Sequence, residues 1–261
     1  MKILYVAWKD QEKNQWRTVG RLCCENGKYI FCYTDGAHAQ SFIPFGRMTD
    51  LNFVYIADDL FPIFENRLLS KNRPEFKNLL NWLALDSEPY DPLDVLALTE
   101  GKRGTDSLEI FSHPTSDHSG VMKINFFSHG LRHISNWASE NLKKLNEGSP
   151  LFLCPDPQNK NDENAIIIRS DDPISFVGYC PRYLTNDFLG LLSKTNKNDI
   201  SVSVKRINLE APDRYKVLCT MSVKSAGDFK PFSSQDFTPI VKNISSQCPH
   251  TQEGNAVCAQ C

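Results

Sequence analysis

The sequence predicts an α+β fold of two small domains followed by a flexible tail, and three observations carry that prediction. Strand-like stretches crowd the first forty residues, helical periodicity follows them, and a second strand-rich region opens after the polar stretch Ser112 to Gly120. With 261 residues, 41% of them apolar, the chain holds enough material for two packed cores. No run approaches the apolar length needed to cross a bilayer.

Residues 1–112 read as the first domain. Lys2 to Trp8, Arg17 to Cys24 and Lys28 to Thr34 are strand-like, and Asn26-Gly27 between the last two marks a tight hairpin turn, because both residues accept positive φ. Helical periodicity runs through Leu60 to Leu69, Pro74 to Leu85 and Pro92 to Thr99. The last of these opens on Asp91 as N-cap with proline in the first turn. The expected shape is a β-hairpin plus a helical cluster. Gly101-Lys102-Arg103-Gly104-Thr105 lacks the spacing of a phosphate-cradling loop and reads as a turn before a strand at Ser107 to Phe111. His113, Asp117 and His118 lie in the polar stretch itself, the expected domain boundary, where no rigid frame holds them as metal ligands.

Residues 122–224 form the second domain, and three spaced motifs stand out in it. Gly130-Leu131-Arg132-His133 follows a strand-like Phe126-Phe127. An Asp156-Pro157 loop leads through Asn161-Asp162-Glu163-Asn164-Ala165 into Ile166-Ile167-Ile168. Val177-Gly178-Tyr179-Cys180-Pro181-Arg182 then ends a strand. Pro181 suits the first turn of a helix whose buried face is Leu184, Phe188, Leu191 and Leu192, and Arg182 falls near its start, where backbone donors favour an anion. Asp162 and Asn164 also have an ordinary reading, as turn residues that bond their own backbone. The loop lacks the central glycine and closing glutamate of an EF-hand.

Charge narrows the functional classes. From Asn125 to Arg206 there are ten basic and nine acidic residues, which excludes a protein that coats long strands through many phosphate contacts. Whatever this domain binds must be held at a local site. Arg132 and Arg182 could contact phosphate, Tyr179 and Tyr183 offer aromatic surfaces, and Asp162 could accept from a sugar hydroxyl.

The three motifs, in this order and spacing, resemble the HIRAN domain. The resemblance implies a small β-barrel with one or two helices, and a site that grips the free 3′ end of single-stranded DNA. Carried over by position, the gripping roles fall on Arg132, His133, Asn161 and Asp162. Many relatives have tyrosine where this chain has His133 and Asn161; histidine can still stack on a base, whereas asparagine offers hydrogen bonds in place of a flat face.

The first domain has a resemblance of its own, carried by Val19-Gly20-Arg21-Leu22, Ile30-Phe31-Cys32-Tyr33, Leu60 to Leu68 and Asp91-Pro92-Leu93-Asp94-Val95-Leu96. These blocks resemble the N-terminal subdomain of HipA-type toxin kinases, which implies a protein partner bound through residues 1–112. No kinase core follows, so the partner would be a separate HipA-like kinase, a helicase or a nuclease.

After Lys224 the composition shifts to serine, glutamine, asparagine and proline, which predicts a flexible tail over 225–261 whose removal leaves both cores folded. Its end carries Cys248, His250, Cys258 and Cys261, four soft ligands that could close a zinc site. The remaining cysteines sit in apolar surroundings as reduced core thiols, and the N-terminus has no signal-peptide pattern, so a cytoplasmic location is expected. Two readings result. In the first, this is a non-enzymatic bacterial accessory protein that binds single-stranded DNA, at 3′ ends, in repair or defence. In the second, it is a regulatory subunit docking on a HipA-like kinase with no nucleic-acid role. No paired carboxylate or nucleophile–histidine arrangement argues for catalysis.

Overall fold

The computed structural model describes residues 2–85, 89–133, 135–224 and 229–241. The chain divides into two units, and it does so in alternating segments. Among the described residues, 2–71, 91–113 and 232–241 form the first unit, while those within 72–90 and 114–231 form the second.

The first unit is built on a five-stranded antiparallel sheet. Its strands are β1 (Lys2–Asp10), β2 (Gln15–Glu25), β3 (Lys28–Tyr33) and β4 (Val54–Ala57), in the order β4-β3-β2-β1, and a fifth strand adds to the free edge of β1. Asn26 and Gly27 both take positive φ, 51° and 78°, so the β2–β3 connection is the tight turn that the sequence predicts. Alternate residues Leu4, Val6, Leu22, Phe31 and Tyr33 face one core.

The helices of this unit are fewer and shorter than periodicity suggests. α1 spans only Pro62–Glu65. At its end the Arg67 N–H turns to the Phe64 carbonyl while Arg67 Nε takes the Ile63 carbonyl, and the same side chain, 3% exposed, pairs with Asp106 at 2.6 Å and donates to the Gly101 carbonyl at 2.8 Å. α2 (Glu75–Trp82) belongs to the second unit. α3 (Pro92–Thr99) opens as expected, with the Asp91 carboxylate accepting from the Leu93 N–H at 2.8 Å. Lys102 bridges Glu100 and Glu109 ahead of β5 (Leu108–Ser112), so the glycine–lysine stretch is a turn pinned by ion pairs. The helical cluster of the expected fold is thus reduced to α1 and α3.

Residues 232–241 depart from the predicted flexible tail. Phe232 is 5% exposed and stacks on Phe237 at 4.9 Å, and both rings meet Tyr5 and Phe111. Thr34 bridges Pro239, and Ile240 donates to the Tyr33 carbonyl at 3.0 Å. The polar composition hid this because three aromatic or aliphatic side chains, spaced irregularly, do the packing.

The second unit contains β6 (Thr115–Ser116), β7 (Met122–Phe127), α4 (Asn136–Leu142), β8 (Pro150–Pro155), β9 (Ile166–Ser170), β10 (Phe176–Tyr179), α5 (Arg182–Lys194), β11 (Ile200–Ile207) and β12 (Val217–Val223). Their order is β10-β9-β8-β11-β12-β7-β6, an antiparallel sheet of seven strands. One face is buried through Leu151, Ile166, Ile168, Val202, Val204, Met221 and Phe126, with Phe188 of α5 edge-on to Phe126 at 5.4 Å. On α5 the buried set is Leu184, Thr185, Phe188 and Leu191, whereas Leu192, one position past that stripe, is 37% exposed.

The expected barrel does not close. β7 ends at Phe127 and β10 is only four residues long, cut short by Pro181, so no ladder joins them. A single bridge, His129 to Tyr179, spans the gap. α2 is tied to this unit by two polar side chains: Asn208 Nδ2 donates to the Trp82 carbonyl at 2.9 Å, and Arg206 donates to the Asn81 carbonyl. The Trp82 carbonyl is one that the helix C-terminus leaves to a side-chain donor, whereas the Asn81 carbonyl also accepts from the Ala84 N–H at 3.0 Å. Trp82 also stacks on Tyr215. Among the described residues, no helix is long and apolar enough to cross a membrane.

Candidate nucleic-acid interface

The His129–Tyr179 bridge decides where the three motifs meet. His129 N–H donates to the Tyr179 carbonyl at 2.8 Å, and Tyr179 N–H donates back to the His129 carbonyl at 2.9 Å. The Ser128 hydroxyl adds a bond to the Val177 carbonyl at 2.7 Å. This draws the Gly130-Leu131-Arg132-His133 segment against the end of β10.

Such close approach requires glycine at position 178. Its φ is +124°, and a Cβ there would lie 2.6 Å from both the His129 carbonyl and the Ser128 hydroxyl. The ladder between β9 and β10 slips at the same place, between Phe176 and Gly178. In an unbroken strand, residues 176 and 179 would point to opposite faces; the slip puts both rings on the same side, 5.2 Å apart and edge to face.

The Asp156–Asn164 loop closes the rim from the other side. Tyr179 donates its hydroxyl proton to Asp156 at 3.3 Å, and Asn159 Nδ2 donates to the same oxygen at 3.0 Å. Desolvation raises the Tyr179 pKa, and the Asp156 carboxylate raises it further, so the ring stays a neutral phenol. Asp162 accepts from the Asn164 N–H at 3.0 Å in an Asx turn, and its other oxygen lies 3.5 Å from Arg182 Nε. Arg182, the first residue of α5, also donates to the Asn161 carbonyl at 3.0 Å.

The structure therefore brings Tyr179, Asn161, Asp162 and Arg182 together, with Asp162 serving both as turn residue and as ion-pair partner. Arg132 is exposed in the short 3-10 turn Leu131–His133, next to the bridge. The backbone of His133 ends that turn; its side chain lies outside the described part of the structure. Cys248, His250, Cys258 and Cys261 also lie outside the described residues, and among the described residues no group of three or more His, Cys, Asp or Glu could hold a metal.

Four participants escape a reading of the sequence. Asp156 holds the Tyr179 hydroxyl, His129 makes the bridge, and Phe176 flanks the ring. Arg214 lies over the Tyr215 ring at 4.7 Å, in a turn that packs beside Leu131–His133. Only the doublet Arg214-Tyr215, a cation next to an aromatic, could have signalled the last of these. The thiols nearby are inert, since burial pushes both Cys180 and Cys219 well up.

Fold and rim together define a compact, sheet-based module with a polar and aromatic edge of modest charge. Residues 121–226 match the HIRAN domain, and HIRAN domains in general bind single-stranded nucleic acid. Two solved structures resemble part of the chain. One is a protein from Lactobacillus plantarum, 16% identical, over 40% of this chain and 99% of that one, with a TM-score of 0.31. The other is the HIRAN domain of human HLTF, 18% identical, over 40% of this chain and 75% of that one, with a TM-score of 0.29. No curated protein matches the chain.

Proposed function

We propose that the second unit binds single-stranded DNA by its 3′ end at the rim formed by Gly130–His133, the Asp156–Asn164 loop, Tyr179 and Arg182. The observation that supports it most is the His129–Tyr179 bridge, which sets three sequence-distant motifs around one aromatic ring inside the span matching the HIRAN domain. In this reading Tyr179 and His133 supply flat surfaces, Arg132 and Arg182 contact phosphate, Asn161 hydrogen-bonds, and Asp162 accepts from the terminal sugar hydroxyl. The role is binding without catalysis, in repair or defence, and the first unit supplies contacts to a protein partner.

Fluorescence anisotropy with two otherwise identical strands tests this. A free 3′ hydroxyl should bind more tightly than a 3′ phosphate by about 1–3 kcal/mol, because the phosphate removes the donor and adds charge beside Asp162. Asp162→Asn keeps an acceptor while removing the charge, so it should shrink the preference without unfolding the loop, and Asp162→Ala should erase it. Equal wild-type affinity for the two ends refutes end recognition.

A further inference from the structure

The outward face of the sheet changes character at one end. Along β11 and β12 its residues are small and polar, Ser201 and Ser203 opposite Ser222 and Thr220. On β8, β9 and β10 they are large. Phe152, Arg169 and Phe176 stand directly opposite one another across the three strands, and Cys154, Ile167 and Tyr179 form the next row. Directly opposed residues share a face, so these six side chains make one patch that begins at Phe152 and ends at the Tyr179 rim.

The geometry within the patch suits flat ligands. The Arg169 guanidinium lies 4.4 Å over the Phe152 ring, and its orientation is fixed by bonds to the Ser170 carbonyl at 3.1 Å and to Asp171 at 3.3 Å. The Arg169 side chain, set between Phe152 and Phe176 on neighbouring strands, is 34% exposed, so part of the stacked guanidinium reaches solvent. Phe152 itself is 39% exposed, in a position where a lone soluble sheet would carry a polar residue. Asp171 compensates the charge, so the patch offers stacking surface without strong phosphate attraction.

We propose that this face of β8, β9 and β10 is a second binding surface, which stacks the bases of a single strand running back from the end held at Tyr179. It rests on the end-binding reading. Continuity with that site, through the Phe176–Tyr179 ring pair, identifies the occupant as the same nucleic acid. Interleaved aromatic and guanidinium planes on an exposed sheet face are what sequence-tolerant base stacking requires.

The test compares strands of about four and about twelve nucleotides, both with free 3′ ends, on the full-length protein. The longer strand should bind the wild type more tightly, and Phe152→Ala or Arg169→Gln should remove about tenfold of its affinity while leaving the shorter strand unchanged. A strand carrying 5-iodouracil several nucleotides from its 3′ end, photolysed on unaltered protein, should cross-link to Phe152, which keeps the test independent of variant folding. Equal wild-type affinity for the two lengths, or cross-links confined to residues 130–133 and 156–164, overturns the second surface and leaves the end site standing. Wild-type protein that binds neither strand overturns both.

Discussion

Gly178→Ala should cost far more than a methyl group normally does. At φ +124° an L-residue is strained by about 1–3 kcal/mol. The added Cβ would also sit 2.6 Å from two oxygens of residues 128 and 129, so that strand must retreat. Retreat weakens the two bridge bonds at 2.8 and 2.9 Å and the Ser128 bond at 2.7 Å, each contributing about 1 kcal/mol net. With all three bonds lost the total is about 4–6 kcal/mol. Urea unfolding of the full-length protein, followed by tryptophan fluorescence, should show the second unit's transition moved down by roughly 1–3 M. Ser128→Ala, which loses one bond and adds no clash, should move it by about a fifth as much. Strand-end binding should fall in Gly178→Ala even in buffer without urea, because Phe176 and Tyr179 no longer share a face. A transition shifted by less than Ser128→Ala shifts it would refute the reasoning about close approach.

Three further outcomes are expected. Phe232→Ala should destabilise the first unit by about 3–5 kcal/mol, measured as a lowered melting temperature, since the ring is 5% exposed and meets four other rings; an unchanged melt would return residues 232–241 to the flexible tail. The Ser119 hydroxyl, Lys123 and backbone N–H groups hold the Asp117 carboxyl at about 2, below its ordinary 3.8, so its contribution is present above pH 3.8 and lost as pH falls toward 2. Urea titrations across that window should show Asp117→Asn with a flatter acid limb than wild type, and identical limbs would deny the carboxylate any role in the β6–β7 turn. If Cys248, His250, Cys258 and Cys261 bind zinc, elemental analysis of dialysed protein should find about one equivalent per chain, absent from a Cys258→Ser, Cys261→Ser double variant.

Local chemistry was the legible part of this fold. Asn26-Gly27, Asp91-Pro92 and Pro181 each specify backbone geometry within a few residues, and the structure has a tight turn, a capped helix and a helix start at those places. The Asx turn at Asp162 could be read for the same reason, because its carboxylate bonds the Asn164 N–H two residues on, whereas Gly178 matters through Ser128 and His129 far back in the chain. What escaped depends on partners far along the chain. At the end of α1 the Arg67 side chain takes the Ile63 carbonyl and reaches Asp106, and α2 is tied to the second unit by Asn208 and Arg206 at its last carbonyls. A slipped ladder turns Phe176 toward Tyr179, and no period of two could have shown it. The barrel, which the resemblance implied, does not close for a related reason: neither β7 nor β10 shows in its own sequence whether the two pair far along the chain.

The alternating division of the chain has a consequence for biosynthesis. The ring cluster of the first unit draws Tyr5 and Phe111 from early sequence and Phe232 and Phe237 from late sequence. As the polypeptide emerges, the second unit has all its strands available once Val223 has left the ribosome, while the first still lacks two of its rings. The later domain in sequence can therefore finish folding before the earlier one. The N-terminal core must persist meanwhile with the apolar surface around Tyr5 and Phe111 uncovered, the interval in which a nascent chain is most exposed to aggregation or to a chaperone.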